Sequence, residues 1–399
     1  MRLEITPELE EFRGRVREFV AEHAPGTKKH AGVRAPDPEL MPAIREWTAK
    51  LYSAGYLGIN WPAEYGGRPD AHPLESFIVN EEIARARTWP PIGAAALASA
   101  ALIEFGTTEQ RERFLPRIRS CADVWCQLFS EPGAGSDLAA LQTRARREGE
   151  GEDAVFVLDG QKVWTTNGQH ADMGFLLART DRDAPKHRGI TAFALDMRSP
   201  GVDIRPLREI TGTTDFNEVF LDEVRIPVAN VIGTVNQGWK VAMSSLAHER
   251  SGVAARGVEM MAALDELFEL AEHTSISGVP ALQDSATRQT LGELAARVHV
   301  NAAMNNLARS RMLSGTEQPA DAPLGKIFFS ELNYDLAAFG VCLQGTDGLL
   351  TEADPRSVAD GWWQDAHLYS RAYTIAGGAN EILRTQVAER GLGLPRDPR

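Results

Sequence analysis

The sequence predicts an α+β multidomain protein: an N-terminal helical domain, a middle β-barrel or β-sandwich domain and a C-terminal four-helix bundle. Three observations predict it. The chain has 399 residues, more than one ordinary core can organise. Its apolar periodicity changes to two near residue 121 and back to a helical period near 233. Beyond that second change, long stretches lack proline, and Gln237 to Ala271 contains none. The expected domains are therefore 1–120, 121–232 and 233–399.

Each element has its own signal. Pro7-Glu8-Leu9 opens a helix through Phe12, Val16 and Phe19-Val20, and Pro25-Gly26 ends it. WPAEYGGRPD (61–70) carries two glycines and two prolines and reads as a loop. Helical texture resumes at Glu81-Glu82-Ile83, breaks at Pro90-Pro91 and returns until about Pro116. In the middle region AVFVLDGQKVW (154–164) alternates into Asp159-Gly160, which predicts a hairpin turn there. GFLLART, GITAFALDM and NEVFLDEVRIP follow as short strands, and this spacing suggests a small barrel or sandwich. Four helices are then expected: one from Gln237 to Ala271, one from Ser285 to Leu313 with Leu291, Leu294 and Val298 on a single face, and two over 325–342 and 366–390.

Composition narrows the function. A net charge of −13 leaves no basic excess to neutralise phosphates, which disfavours nucleic acid as a partner. Three cysteines, Cys121, Cys126 and Cys342, give no disulfide framework and suit a reducing compartment. MRLEITPELEEF is polar and acidic, with no signal-peptide core. The longest apolar run, Ile92 to Phe105, is about 14 residues against the roughly 20 that span a bilayer, so no membrane insertion and a cytoplasmic location are expected. Neither GxGxxG after a strand, nor a phosphate-loop lysine motif, nor HExxH, nor CxxC is present, so no metal site is expected and redox chemistry would need an organic cofactor.

Three segments could carry chemistry. CQLFSEPGAGSD (126–137) ends in small residues and a serine, whose amides and hydroxyl suit pyrophosphate oxygens; it reads equally as an ordinary Pro-Gly loop. In GQKVWTTNG (160–168), Trp164 offers a flat wall and Thr166, two residues on, a hydroxyl on the same strand face. A flavin needs both, although taken singly Trp164 reads as a core tryptophan. On a helix, Ala242, Leu246, Glu249, Val253 and Met260 form one stripe. A carboxylate in an apolar stripe is costly unless paired or used, which makes Glu249 a candidate general base or a structural glutamate met by a distant arginine. Arg250, its neighbour in sequence, cannot face it on the helix.

Together SEPGAGSD (130–137), GQKVWTTNG (160–168), FLDEVRIPVANVIGTVNQGW (220–239) and TIAGGANEILRTQVAERGLGLP (374–395) resemble the acyl-CoA dehydrogenase family across essentially the whole chain. The resemblance implies FAD lying between the β domain and the bundle and reaching a neighbouring subunit. It implies that the stretch from Gln127 through Phe129, Ser130 and Gly135 to Ser136 borders the flavin. Ser130 would bond the pyrimidine end, and Ser136 would lie near both pyrophosphate and substrate. Trp164 would pack on the ring, Thr166 would meet its N5/O4 edge, Gly377 would border the substrate, and Gly378 and Asn380 would sit near the cofactor.

Two departures qualify that map. The family's commonest catalytic glutamate precedes the glycine of the C-terminal motif, where this chain has Ala376. A minority places it on the first bundle helix before an arginine, and Glu249-Arg250 matches that placement, with Arg250 shaping the substrate pocket. The usual arginine, phenylalanine and glycine cluster between the first two bundle helices is replaced by HTSISGVPALQDS (273–285), and Gly345 of QGTDG stands for the neighbour's glycine-rich strip. The expected reaction is α,β-dehydrogenation of an acyl-CoA or related acyl thioester, with Glu249 taking the α proton and flavin N5 the β hydride. Electron-transfer flavoprotein is the expected acceptor, and a homodimer or homotetramer the expected assembly, with a heteromer as the alternative. Two other readings share the motifs: a non-catalytic flavin-binding subunit completing a partner's site, and a flavin oxidase that uses O₂.

Overall fold

A computed structural model describes residues 5–27, 30–253 and 257–396, and the side chains among these except at 247–253. Five helices come first: α1 (Pro7–His23), α2 (Met41–Ser53), α3 (Glu75–Arg85), α4 (Ala95–Phe105) and α5 (Thr108–Arg119). In α1, Pro7 sits in the first turn with Glu8 and Glu10, and Leu9, Phe12, Val16 and Val20 are buried along one stripe. They pack on Trp47 and Leu51 of α2 and on Ile78, Val79 and Ile83 of α3. The α5 helix opens with a reciprocal cap between Thr107 and Gln110. The Gln110 amide nitrogen also donates to the carbonyls of Ala229 and Val231, 2.7 Å each, which moors the helices to the segment leaving the sheet.

The middle region is one connected eight-stranded sheet: β1 (Trp125–Leu128), β2 (Arg144–Glu148), β3 (Val155–Thr166), β4 (Met173–Arg179), β5 (Ile190–Asp196), β6 (Val202–Leu207), β7 (Phe216–Pro227) and β8 (Val231–Ile232). The order is β6-β7-β3-β2-β4-β5-β8, with β1 parallel to β4. Its central strands are covered on both faces. Leu176 and Ala178 of β4, with Phe193 and Leu195 of β5, face a core closed by β3 and β7. Phe175, Leu177, Ala192 and Ala194 alternate with them and pack on α4, α5 and α6 (Gly238–Val253).

Asp159-Gly160 is not a hairpin turn. β3 runs through it, and a register shift against β7 falls between Leu158 and Gly160. A Cβ at 160 would lie 2.5 Å from Thr143 Oγ1 and 2.8 Å from Thr143 Cα, so the glycine marks a bulge where another segment passes close. The hairpin turn lies earlier, between Glu148 and Val155.

The chain ends in helices α6, α7 (Gly257–His273), α8 (Ser285–Ser314), α9 (Asp321–Leu343), α10 (Trp362–Ile375) and α11 (Asn380–Gln386). The expected helix over Gln237–Ala271 corresponds to α6 and α7, and residues 254–256 between them lie outside the described set. The Asp284 carboxylate caps α8, and Gly315, at φ +64°, closes it. Leu291, Leu294 and Val298 are buried together against Leu264 and Leu267 of α7 and Phe329, Leu332 and Leu336 of α9. The expected helix over 366–390 is two helices, because Gly377 and Gly378 adopt φ of +66° and +96° and no right-handed helix continues through such residues. A short exposed hairpin, β9 (Ser275–Ile276) and β10 (Val279–Pro280), occupies the 273–285 segment.

Candidate active site

The loop after β1 is held from beneath by charge. Phe129 is buried edge-on against Phe175, 5.1 Å between ring centres, and half-buried Gln127 pairs with Phe175 in the strand register. The backbones of Glu131 and Ala134 exchange two 3.0 Å hydrogen bonds, forming a tight turn. Under it the Glu131 carboxylate accepts from Lys162 Nζ at 2.7 Å, from the Thr143 amide at 2.9 Å and from the Gln142 amide at 2.5 Å. Lys162 is fully buried and also donates to the Phe129 carbonyl at 3.1 Å. Burial alone would raise the pKa of Glu131, but the lysine charge and these hydrogen bonds carry it below the ordinary carboxylate value. Burial pushes Lys162 down to about 8 against the pull of Glu131.

Above that clamp the loop is open. A Cβ added at Gly133 or Gly135 would meet nothing within 4 Å, and Gly135 and Ser136 are exposed. The Ser130 carbonyl accepts the Val163 amide at 2.9 Å, so the fold brings the 130–137 loop to the end of β3.

That end carries a conformation seldom seen for a bulky residue. Trp164 has φ +59°, within a second register shift between Lys162 and Thr165, and its side chain is 61% exposed. Left-handed backbone at such a residue costs on the order of 1–3 kcal/mol and clusters at functional sites. Trp164 is therefore no core tryptophan. One ring edge meets Phe216 at 6.0 Å, nearly perpendicular, while the rest of the ring stays open. Thr166 is half-buried, whereas Val163 and Thr165 are buried, so Trp164 and Thr166 share the more open side. Thr165 Oγ1 and Asn167 Oδ1 are buried without a hydrogen-bond partner.

The C-terminal candidates form a second group, held by α9. Ala376 is exposed and caps α10, and Gly377 and Gly378 make the turn. Lys326 Nζ donates to the Gly378 carbonyl and to Asn380 Oδ1, both at 2.8 Å, and Asn380 Nδ2 donates to Ser330 Oγ at 3.0 Å. Asn380 is thus buried and engaged in fixing the turn. Gly345, exposed at φ +58°, starts the turn after α9. Ala242 is buried and Leu246 partly buried on α6, as the stripe predicts, and Met260 is buried on α7. Glu249 and Arg250 fall on α6, but their side chains lie outside the described residues.

These residues fit a flavin: an exposed aromatic wall, a loop with room above Gly133 and Gly135, and hydroxyls at Ser136 and Thr166. Sequence reasoning passed over two structural parts of the site. Glu131 and Lys162 lie inside the quoted motifs, and opposite charges in two otherwise apolar or small-residue segments were their signal. Arg34, whose guanidinium donates to Asp215 before β7 and to Asp365 of α10, carries no local signal. Among the described residues no group of three or more His, Cys, Asp or Glu could hold a metal ion, and no helix is long and apolar enough to cross a membrane.

Comparison with known proteins gives concordant matches along the chain. The model described as acyl-CoA dehydrogenase, N-terminal domain, matches residues 6–121, the middle-domain model 126–224 and the C-terminal-domain model 236–392. Acyl-CoA dehydrogenase IpdE1 of Mycobacterium tuberculosis is 37% identical over 402 residues, covering 98% of this chain and 99% of that protein. Among solved structures, the Tcur3481-Tcur3483 steroid ACAD superposes with a TM-score of 0.84 at 30% identity, over 100% of both chains. The ChsE4-ChsE5 complex from Mycobacterium tuberculosis gives the same TM-score, identity and coverage.

Proposed function

The chain belongs to the acyl-CoA dehydrogenase family, and on that premise we propose that it oxidises the Cα–Cβ bond of an acyl-CoA or related acyl thioester to the 2-enoyl thioester. The observation that carries the reading is Trp164, an open aromatic ring held at an unfavourable backbone angle beside the 130–137 loop. FAD, when bound, supplies the acceptor for the β hydride.

This chain's residues divide the remaining work. Trp164 walls one ring face, Thr166 donates to the ring edge, and Ser130 and Ser136 with the amides of the loop through Gly135 hold the polar parts. Glu249 takes the α proton, a general-base role that Ala376 cannot fill. The Gly377 amide donates to the thioester carbonyl, which makes the α proton more acidic. Arg250 shapes the substrate pocket. The likeness to the Tcur3481-Tcur3483 steroid ACAD supports a bulky, ring-bearing acyl group. Electron-transfer flavoprotein is the proposed acceptor.

Purified protein should show flavin absorbance and bleach anaerobically with an acyl-CoA, fastest with ring-bearing members of a thioester panel. Colourless protein that takes up no added FAD would overturn the reading. Ala376 and the likeness to the ChsE4-ChsE5 complex favour one second reading, a subunit that completes a partner's site. Flavin reduction that begins only when a second, different chain is added would select it.

A further inference from the structure

The segment from Ala31 to Pro36 lies across all three regions of the molecule. Toward the bundle, the Ala31 amide donates to Asp365 Oδ2 and the Val33 amide to the Tyr369 hydroxyl, 3.0 Å each. Gly32 packs so close that a Cβ there would lie 2.1 Å from the Tyr369 ring. Toward the β domain, the Ala35 amide donates to Asp215 Oδ1 at 2.7 Å, and the Pro36 carbonyl lies 2.9 Å from His170 Nε2.

Arg34 joins the two sides with one side chain. Its Nη1 donates to Asp215 Oδ2 at 2.8 Å and Thr213 Oγ1 at 3.1 Å. Its Nη2 donates to both carboxylate oxygens of Asp365, at 2.7 and 2.8 Å, and its plane lies 4.5 Å from the centre of the Tyr369 ring. The guanidinium is 2% exposed, and a planar fork of donors is what allows one buried cation to bridge two carboxylates.

Both carboxylates lead to the candidate site. Asp215 precedes Phe216, the residue against the Trp164 ring and opposite Thr166 in the strand register, and the Asp215 carbonyl accepts the Asn167 amide at 3.1 Å. Asp365 lies on α10, the helix that ends at Ile375 and opens into the Gly377–Gly378 turn. We propose that Arg34 is a positioning residue that sets the separation between the Trp164 end of β3 and the Gly377–Gly378 turn; this rests on the reading that both sides face one flavin.

The test uses the full-length chain without cofactor first. Ile210, in the loop before β7, and Ile375, at the end of α10, are exposed and can carry spin labels as Ile210→Cys and Ile375→Cys in a Cys342→Ala background, diluted with unlabelled chain. Pulsed electron resonance should give one narrow distance with Arg34 intact and a broadened or shifted one in Arg34→Met and Asp365→Asn. Arg34→Lys, a point charge that cannot reach both carboxylates with a fork, should fall between and guards against a variant that does not fold. Glu82→Gln, in the separate ion cluster with Arg13 and Arg17, serves as the destabilised control and should keep the narrow distance. The dissociation constant for FAD, read by fluorescence titration, should rise about tenfold in Asp365→Asn and stay near the unsubstituted value in the control.

Distances and FAD affinities in the Arg34 and Asp365 variants that match the control would overturn this role. A parent protein that binds no FAD would instead sink the flavin reading, whatever the distances do.

Discussion

Lys162 and Glu131 meet at 2.7 Å with almost no water contact, the lysine beneath β3 and the glutamate beneath the 130–137 loop. Neither charge has another opposite charge bonded to it, and both also bond the backbone. Removing one partner strands the other. Lys162→Met should cost about 3–5 kcal/mol in denaturant unfolding, because it leaves a buried carboxylate unpaired. Glu131→Gln added to Lys162→Met should recover part of that loss, since it removes the stranded charge while its single amide oxygen keeps one of the two backbone amides, Thr143 or Gln142, that the two carboxylate oxygens accept. A single substitution costing under about 1 kcal/mol would show that the pair does not hold the loop.

Trp164 gives the opposite sign. Its side chain is mostly exposed and its backbone left-handed, so Trp164→Gly loses little burial and relieves the angle. The apo protein should gain up to about 1 kcal/mol, while FAD affinity falls at least tenfold. Calorimetry and flavin titration on the same sample separate the two effects. A variant that is less stable yet binds FAD normally would make Trp164 a structural residue.

On the proposed reading, the proton-accepting role of Glu249 should be transferable. Glu249→Gln should slow anaerobic flavin reduction by about 10²–10⁴-fold with FAD still bound. Ala376→Glu, at the exposed cap of α10, should restore part of that rate in the Glu249→Gln background. Reduction as fast as the parent in Glu249→Gln would remove Glu249 from the chemistry.

Lys326 supplies a pH test. Burial lowers its pKa from the ordinary 10.5 to about 8, against the weaker pull of Glu381 and Glu331. Between those values the unfolded chain keeps a proton that the folded chain has released, so raising the pH favours the folded state. Its two hydrogen bonds survive, because a neutral amine still donates twice. The stability of the parent relative to Lys326→Met should therefore climb between pH 8 and 10.5, as followed by denaturant midpoints. A flat difference across that window would contradict the assignment.

Much of this was readable beforehand where the signal is local. The α8 helix runs from Ser285 to Ser314 because Asp284 caps it, Gly315 stops it and Leu291, Leu294 and Val298 are buried on its inner face. The three-region order and the loop and strand motifs followed in the same way. Asp159-Gly160 misled because a turn dipeptide and a bulge share one composition; only the approach of Thr143 distinguishes them. The helix expected over 366–390 is too long because the apolar period resumes beyond Gly378, past two glycines whose φ no right-handed helix can carry. At the site, the exposure of Trp164 depends on a register shift against β7, and the role of Arg34 on carboxylates 181 and 331 residues away. No window of sequence contains either.

The cap of α5 has a consequence for exchanging parts between relatives. Glutamate closes a reciprocal cap as well as glutamine does, so an isolated helix would accept either at position 110. Here the amide nitrogen is committed to the Ala229 and Val231 carbonyls, just before the segment that enters α6. A chimera carrying glutamate there would present oxygen to two oxygens, and the graft would fail at a seam far from its splice point. Transplanting the first helices thus requires choosing donors by one amide, not by overall likeness.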